Sequence, residues 1–310
     1  MRHLAMTKKA EHPSPIAGGS LETMQAWVES ELRGVAPDTY HREAQLLMMH
    51  ATGLDKAALI SRARDRCLPE IELQIRTVVQ RRCNHEPVFR IIGHREFHGL
   101  ELGLNAATLE PRDDTECLVE LTLRLINNRS HGVRVLDLGT GTGAVVLALL
   151  SELPTASAVA TDVSGQALQQ ARDNAASNEL LDRLELLQSD WFSSVEEKFD
   201  FIVSNPPYIC SAEIDALARD VKEHDPMLAL DGGADGLDAY RSILGSARDY
   251  LKPEGVLVFE VGYGQSDDVV AIANQQGWVE IESASDLSGT ERALAFGVDA
   301  THGMAEAGRI

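Results

Sequence analysis

Apolar positions along this chain fall into two textures. Up to about residue 83 they recur at three- and four-residue steps: Leu46, Leu47, Met49 and Leu54, then Leu59 and Ile60, then Ile71, Ile75, Val78 and Val79. That period puts them on one face of successive helices. Pro37, Gly53 and Pro69 break the pattern, and Asp38 or Thr39 is placed to cap the second helix. The segment 21–86 reads as a small helical bundle. Over 88–104 the texture shortens to "VFRIIGHREFHGLELGL", whose glycines Gly93, Gly99 and Gly103 predict a hairpin, so that 87–112 links two domains.

After "EPRDDTE" a helical pattern covers roughly 115–126, and from Gly132 onward strands and helices alternate. The predicted strands are 133–138, 158–161, 184–188, 199–204, 256–261, 280–285 and 293–297. Helical patterns lie between them near 144–153, 165–178, 240–251 and 267–276. Such alternation specifies a parallel sheet with helices on both faces, a Rossmann-like α/β domain over 113–300. No convincing helix separates the last two strands. They are expected to form an antiparallel pair at the edge.

Composition narrows the class. The chain has 310 residues, 44% hydrophobic and 25% charged, enough for one large or two moderate folded domains. No apolar run approaches the ~20 residues a bilayer crossing needs. The first 20 residues carry basic side chains but no continuous apolar core of the secretory kind, and read as a disordered leader; "THGMAEAGRI", 301–310, reads as a tail. Cys67, Cys83, Cys117 and Cys210 are scattered without a CxxC pair, which argues against a metal site and a disulfide framework and for a reducing cytoplasm. A net charge of −20 repels phosphate backbones and disfavours sequence-independent nucleic-acid binding. The local clusters Arg62, Arg64, Arg66 and Arg76, Arg81, Arg82 read as solvated helix faces.

The candidate chemistry collects at the strand ends. "VLDLGTGTGAVVLALL" sets Gly139, Gly141 and Gly143, with Thr140 and Thr142 between them, in a strand-to-helix turn where absent β-carbons let a ligand approach the backbone. About twenty residues on, Asp162 ends the next strand and can accept both hydroxyls of a ribose. This pair suits NAD, a nucleotide or S-adenosylmethionine. Asp137, just before the glycines, would face a cationic amino-acid group and repel a pyrophosphate, and no Lys-Ser/Thr pair follows to hold a triphosphate; both features favour S-adenosylmethionine. In "QSDWF", Asp190 can accept from an adenine amine and Trp191 can cover the ring.

The fourth strand ends in "SNPPYI". Prolines lack an N–H and hold the preceding residue extended, so Asn205, Pro206 and Pro207 leave the sheet with set dihedrals and outward carbonyls. With Tyr208 they form a surface that accepts hydrogen bonds.

In this order and spacing, "VLDLGTGTG", Asp162, "QSDWF" and "SNPPYI" resemble the class I S-adenosylmethionine-dependent methyltransferases whose NPPY motif marks methylation of a planar nitrogen. Over 21–297 the chain resembles the peptide-chain release factor glutamine methyltransferases, the HemK group, also through "RRCNHEPVFRIIGHREFHGLEL", "PRDDTECLVE", "DPMLALDGGADGLDAYRSIL", "LKPEGVLVFEVGYGQ" and "LSGTERALAF". The resemblance implies a seven-stranded catalytic sheet, an N-terminal helical domain that recognises a protein substrate, and S-adenosylmethionine as cofactor. It implies that the Asn205 side-chain oxygen and the Pro206 carbonyl grip the glutamine amide of a Gly-Gly-Gln loop while Tyr208 packs its plane. Asn205 counts on both the catalytic and the cofactor side. No metal is implied. Two residues depart from the family pattern: Glu110 stands where an apolar residue is usual and Asp113 where a second proline is usual, and a local loop change is expected there.

Other readings stay open at this point. The same clamp suits an adenine amine in nucleic acid, though no basic groove or recognition domain accompanies it. A ribosomal-protein glutamine methyltransferase shares the helical domain, while the "DTE" after Pro-Arg favours the release-factor branch. A non-catalytic scaffold is the third.

Overall fold

A computed structural model describes residues 18–126 and 132–298, and the chain divides into two units between Ile92 and Gly93. The predicted leader, apart from residues 18–20, and the predicted tail lie outside the described residues.

The first unit holds α1 (Leu21–Leu32), α2 (Tyr40–Thr52), α3 (Lys56–Ser61), α4 (Pro69–Cys83) and α5 (Val88–Ile92). Local chemistry sets the helix ends. Ser20 Oγ accepts the Thr23 N–H at 3.3 Å and Asp55 Oδ1 accepts that of Ala58 at 2.7 Å, supplying side-chain caps. Gly53 closes α2 at φ 66°, a left-handed value that other residues adopt at a cost. Pro69 opens α4 instead of merely interrupting the pattern, because at the first helical position its missing N–H costs nothing. Thr39 is the residue before α2, but its hydroxyl bonds the Glu43 carboxylate at 2.9 Å and caps no backbone group.

Met24, Val28, Leu32, Leu47, Met48 and Ile75 form the centre of the bundle's core. Each such side chain contributes roughly 1.5–3 kcal/mol on burial. Three expectations fail here. Ile60 is 68% exposed, off the apolar face. Arg82 is no solvated residue: it is 5% exposed, with Nε 2.5 Å from Glu43 Oε2. Residues 88–92 are helical, not the first hairpin strand, because Val88 and Ile91, three positions apart, both enter the bundle's core.

In the second unit the hairpin is shorter, β1 (His94–Phe97) with β2 (Leu100–Gly103). His98 and Gly99 turn it with φ 49° and 78°, the pair of positive values that matches strand twist. The elements that follow are α6 (Glu116–Ile126), β3 (Arg134–Leu138), α7 (Ala144–Glu152), β4 (Ser157–Asp162), α8 (Gly165–Ser177), β5 (Leu184–Gln188), β6 (Phe199–Ser204), α9 (Arg219–His224), α10 (Asp238–Ala247), β7 (Leu251–Glu260), α11 (Ser266–Gln275), β8 (Trp278–Ser285) and β9 (Glu291–Val298). The sheet has seven strands in the order β5-β4-β3-β6-β7-β9-β8. The Rossmann-like α/β class is therefore present.

β5 through β7 run parallel, and β9 is antiparallel to both β7 and β8. The final pair is antiparallel as expected, but β9 slots between β7 and β8, so of these two strands β8 alone is at an edge. Phe296 and Ala295, fully buried on opposite faces of β9, explain why it lies inside. One face of the sheet is covered through Val146, Leu149, Leu118 and Leu121, the other through Tyr240, Ile243, Phe259 and Trp278. Chain order runs outward from β3 to β5, then returns to β6 on the other side of β3. The switch point thus lies between β3 and β6, where such sheets open a crevice at their carboxyl ends.

Candidate active site

The turn after β3 carries the glycines. Gly139, Gly141 and Gly143 have φ 72°, 56° and 84°. No atom lies within 4 Å of where a β-carbon on Gly141 would stand, so this side of the loop is open. The opposite side is braced. Gly139 and Thr140 both donate their N–H to the Thr161 carbonyl at 2.9 Å, and Asn174 Nδ2 on α8 donates to the Thr142 carbonyl at 2.8 Å. Asn174, 3% exposed, also accepts the Gly103 N–H at 2.7 Å and so ties hairpin and glycine loop to one helix.

Asp137 lies beneath the loop, 2% exposed, with Thr140 Oγ1 donating to its Oδ2 at 2.6 Å. Burial pushes its carboxyl up to about 7, opposed by the Thr140 bond and assisted by the charge of Asp162. Asp162 ends β4 and accepts Gly141 N–H at 2.9 Å and Ser164 N–H at 2.8 Å, one on each oxygen. Burial raises its pKa in spite of these bonds. An ionised carboxylate has about four acceptor positions, which leaves capacity for two hydroxyls.

Trp191 follows β5 with φ 47°, a strained value for a large side chain. Its carbonyl accepts from Ser189 Oγ at 2.8 Å, and that hydroxyl also takes the Ser194 N–H at 3.0 Å. The indole reaches toward the glycine loop, with Cζ3 3.9 Å from the β-carbon position of Gly139. A cleft of about 400 Å³ runs past Trp191, Pro207, Gly232 and Asp238. Asp190 is exposed on the far flank of the same tryptophan. The structure thus brings together the glycine loop, Asp162 and Trp191, and leaves Asp137 below them.

Asn205 leaves β6 across the switch point. Ser204 Oγ, fully buried, donates to the Leu138 carbonyl at 2.8 Å and clasps the ends of β6 and β3. Asn205 Nδ2 donates to Thr115 Oγ1 at 3.3 Å. Pro206 is buried; Pro207 and Tyr208 are half-buried. Beyond them the segment is pinned from both sides: Gln265 Nε2 donates to the Tyr208 carbonyl at 3.0 Å, and the Gly232 N–H to the Ile209 carbonyl at 2.8 Å. A β-carbon on Gly232 would stand 2.8 Å from both the Pro207 carbonyl oxygen and the Tyr208 Cα, so glycine is required for that approach.

Residues not singled out from the sequence complete this half. Glu260, the last residue of β7, is 2% exposed and accepts from Tyr208 Oη at 3.4 Å. Burial pushes its carboxyl up to about 7, helped by the charge of Asp114 and opposed by the Tyr208 hydrogen bond and the charge of Arg292. Its Oε2 is buried without a partner. Burial, then the Glu260 charge, raises the Tyr208 phenol. A single acidic letter in the run "VLVFEV" was the available signal, since a charge inside a fully apolar strand calls for a reason.

The two departures from the family pattern meet each other. Arg95 on β1 holds Glu110 at 2.6 Å and also pairs with Asp113, which opens a short 3₁₀ turn, Asp113–Thr115. Arg112 reaches the buried Asp225 at 2.6 Å. The change of loop is thus a local ion-paired turn that delivers Thr115 to Asn205.

Among the described residues no helix is long and apolar enough to cross a membrane. The PrmC N-terminal domain model matches residues 23–93, and the Methyltransferase small domain model matches 115–233. The release factor glutamine methyltransferase of Agrobacterium fabrum is 41% identical over 280 residues, 89% of this chain and 96% of that protein. That of Bradyrhizobium diazoefficiens is 42% identical over 285 residues, 91% of this chain and 96% of its own length. A solved hMettl16 catalytic domain, in complex with the MAT2A 3′UTR hairpin 6, shares the fold at TM-score 0.54 and 16% identity over 79% of this chain and 93% of that one. With relatives of this likeness matched across nearly their whole length, the chain belongs to the release factor glutamine methyltransferase family.

Proposed function

We propose that this protein transfers a methyl group from S-adenosylmethionine to the side-chain amide nitrogen of the glutamine in the Gly-Gly-Gln loop of a class I peptide-chain release factor. The observation that carries the reading is the pairing across the β3/β6 switch point: an open glycine loop with a carboxylate beside it, facing an asparagine amide whose nitrogen is already engaged. The names of the relatives, release factor glutamine methyltransferases, support the substrate.

The residues present fit the cofactor. Gly139, Thr140, Gly141, Thr142 and Gly143 line its amino-acid and ribose side, Asp162 takes the ribose hydroxyls, and Trp191 covers the adenine. Asp137 sits below the loop as its brace, bonded by Thr140 Oγ1. When bound, S-adenosylmethionine supplies an electrophilic methyl.

An amide nitrogen is a poor nucleophile because its lone pair is delocalised into the carbonyl. Two acceptors on its two hydrogens hold it in line and return electron density to nitrogen. Asn205 Oδ1 is one, since Nδ2 is committed to Thr115. The Pro206 carbonyl is the other, while Pro207 and Tyr208 pack the amide plane. Orientation of this kind contributes several kcal/mol, on the order of 7 in favourable cases. No strong base is required, because methylation makes the nitrogen acidic.

Intact-mass analysis of a purified release factor after incubation with this protein and S-adenosylmethionine, with peptide mapping, tests the reading. One added methyl on the Gly-Gly-Gln glutamine is expected. An unmodified release factor, with methyl transfer to a ribosomal protein or an oligonucleotide instead, overturns the substrate and keeps the chemistry.

A further inference from the structure

The Asn-Pro-Pro-Tyr segment is poor in donors. Pro206 and Pro207 have no N–H, and Asn205 Nδ2 is committed to Thr115. The loop packed against it, residues 225–238, bonds Ile209 through Leu230 and Gly232 and adds the carboxylates Asp225, Asp231, Asp235 and Asp238, which are acceptors as well. A polypeptide that brings a glutamine here also brings main-chain carbonyls, and each needs a donor once water is displaced.

Arg241 is taken by Asp235 and Asp238, and Arg292 by Asp114 and Asp286. Arg112 differs. Its Nη2 donates to Asp225 Oδ2 at 2.6 Å, and among the described residues its other N–H groups have no partner. The Asp225 side chain is 2% exposed and that of Arg112 39%, so one end of the pair is fixed in the interior while the other faces solvent. Such a pair is weak evidence for stability, because desolvation of the buried charge offsets much of the attraction. It does hold a planar guanidinium in one place with donors left over.

Two turns put that guanidinium at the clamp. The Arg112 carbonyl accepts the Thr115 N–H at 3.1 Å, and Thr115 Oγ1 holds Asn205. On the other side, Asp225 leads through the turn Met227–Ala229 to Leu230, whose carbonyl accepts the Ile209 N–H at 3.0 Å. The ion pair is thus a crossbar between the elements that hold the two ends of the Asn-Pro-Pro-Tyr segment. Met227 and Leu228, on the turn beside it, leave large apolar side chains exposed, as surfaces that meet a partner do.

We propose that Arg112, set in place by Asp225, is a substrate-binding residue whose remaining N–H groups take main-chain carbonyls of the polypeptide that presents the glutamine. Asp225 is then a positioning residue that acts through Arg112. The proposal rests on the reading of the acceptor as a protein glutamine. A Gly-Gly-Gln loop suits such recognition, since its glycines offer main-chain groups and nothing else.

Steady-state kinetics of full-length variants on a purified release factor, at saturating S-adenosylmethionine and beside calorimetric titration of the cofactor, test it. Arg112→Met is expected to raise the release-factor KM about 10- to 100-fold, the range for lost charge-assisted bonds, with kcat and the S-adenosylmethionine Kd within about threefold of wild type. Adding Asp225→Asn to Arg112→Met leaves no unpaired charge in the interior and changes KM by less than about twofold further, because both residues act through one guanidinium. Arg112→Lys keeps the ion pair but not the fork, and raises KM about fivefold. KM unmoved in these variants overturns the proposal. So does a fall in kcat at constant KM, which makes the pair a brace, or a cofactor Kd weakened as much as KM, which gives the donor to the cofactor's carboxylate.

The identity of the acceptor separates this from the proposed function. A methylated release factor with KM unmoved in the variants keeps the function and sinks the role of Arg112. If a ribosomal protein is methylated instead, the same rise in KM on that protein keeps Arg112 and removes the release-factor reading. Transfer to an oligonucleotide alone removes both, because it has no peptide carbonyls.

Discussion

The two halves of the site are held by different means. Around Gly139–Gly143 the shape comes from backbone: positive φ values, main-chain N–H groups given to Thr161 and Asp162, and one helix side chain, Asn174, underneath. Around Asn205 it comes from side chains drawn from separate elements, Thr115 before α6, Glu260 on β7 and Gln265 at the start of α11. Short, numerous bonds mark the first half, while two of the contacts in the second stretch to 3.3 and 3.4 Å. A surface that binds a constant ligand can be preformed in backbone. One that grips a reacting amide depends on donor and acceptor identity, which only side chains set.

That contrast breaks most sharply at Asn205. Asn205→Ala is expected to cut turnover by about 10³, the scale of losing a transition-state hydrogen-bonding group, and to leave S-adenosylmethionine affinity within a few-fold by calorimetry. Unchanged turnover would remove Asn205 from the chemistry. Asp162→Ala should do the converse: cofactor affinity weakens by roughly 10- to 100-fold as charge-assisted bonds are lost, with turnover at saturating cofactor less affected. Equal affinity in the variant contradicts the ribose assignment.

Asp137 offers a test by pH. Its carboxyl is raised to about 7, so between pH ~4 and about 7 the folded protein keeps a proton that the unfolded chain has released. Stability from this group is therefore full at low pH and is lost as pH rises through about 7. The melting temperature of Asp137→Asn should gain on the wild type between pH 5 and 8, and a constant difference refutes the shifted carboxyl. The smallest effect belongs to Tyr208→Phe. Removing one 3.4 Å bond while keeping the ring should lower kcat about fivefold or less, near 1 kcal/mol. A loss as large as that of Asn205→Ala would give the phenol a direct part in transfer.

Much of this architecture is readable before any coordinates, because it is written in neighbouring residues. Helix period, the strand–glycine–helix run and the Asn-Pro-Pro-Tyr exit each depend on dihedral preferences and spacing within about ten positions, and these appear where the pattern puts them. The failures have a common cause. Residues 88–92 alternate like a strand yet form a helix, since Val88 and Ile91 gain more by entering the bundle's core than by pairing. Arg82 looks like part of a solvated basic face until Glu43, 39 residues away in sequence, neutralises it in the interior.

The site divides along the same line. Which glycines turn the loop, which carboxylate ends β4 and which amide ends β6 follow from the sequence itself, because glycine and proline restrict or release the backbone wherever they stand. What only the tertiary structure decided is that Thr115 meets Asn205, that Glu260 meets Tyr208, and that Glu110 and Asp113 share Arg95. A hydrogen-bond network has no period along the chain. Its members are chosen by the strand order that lays β7 beside β6 and by the low dielectric that makes each buried polar group depend on the next.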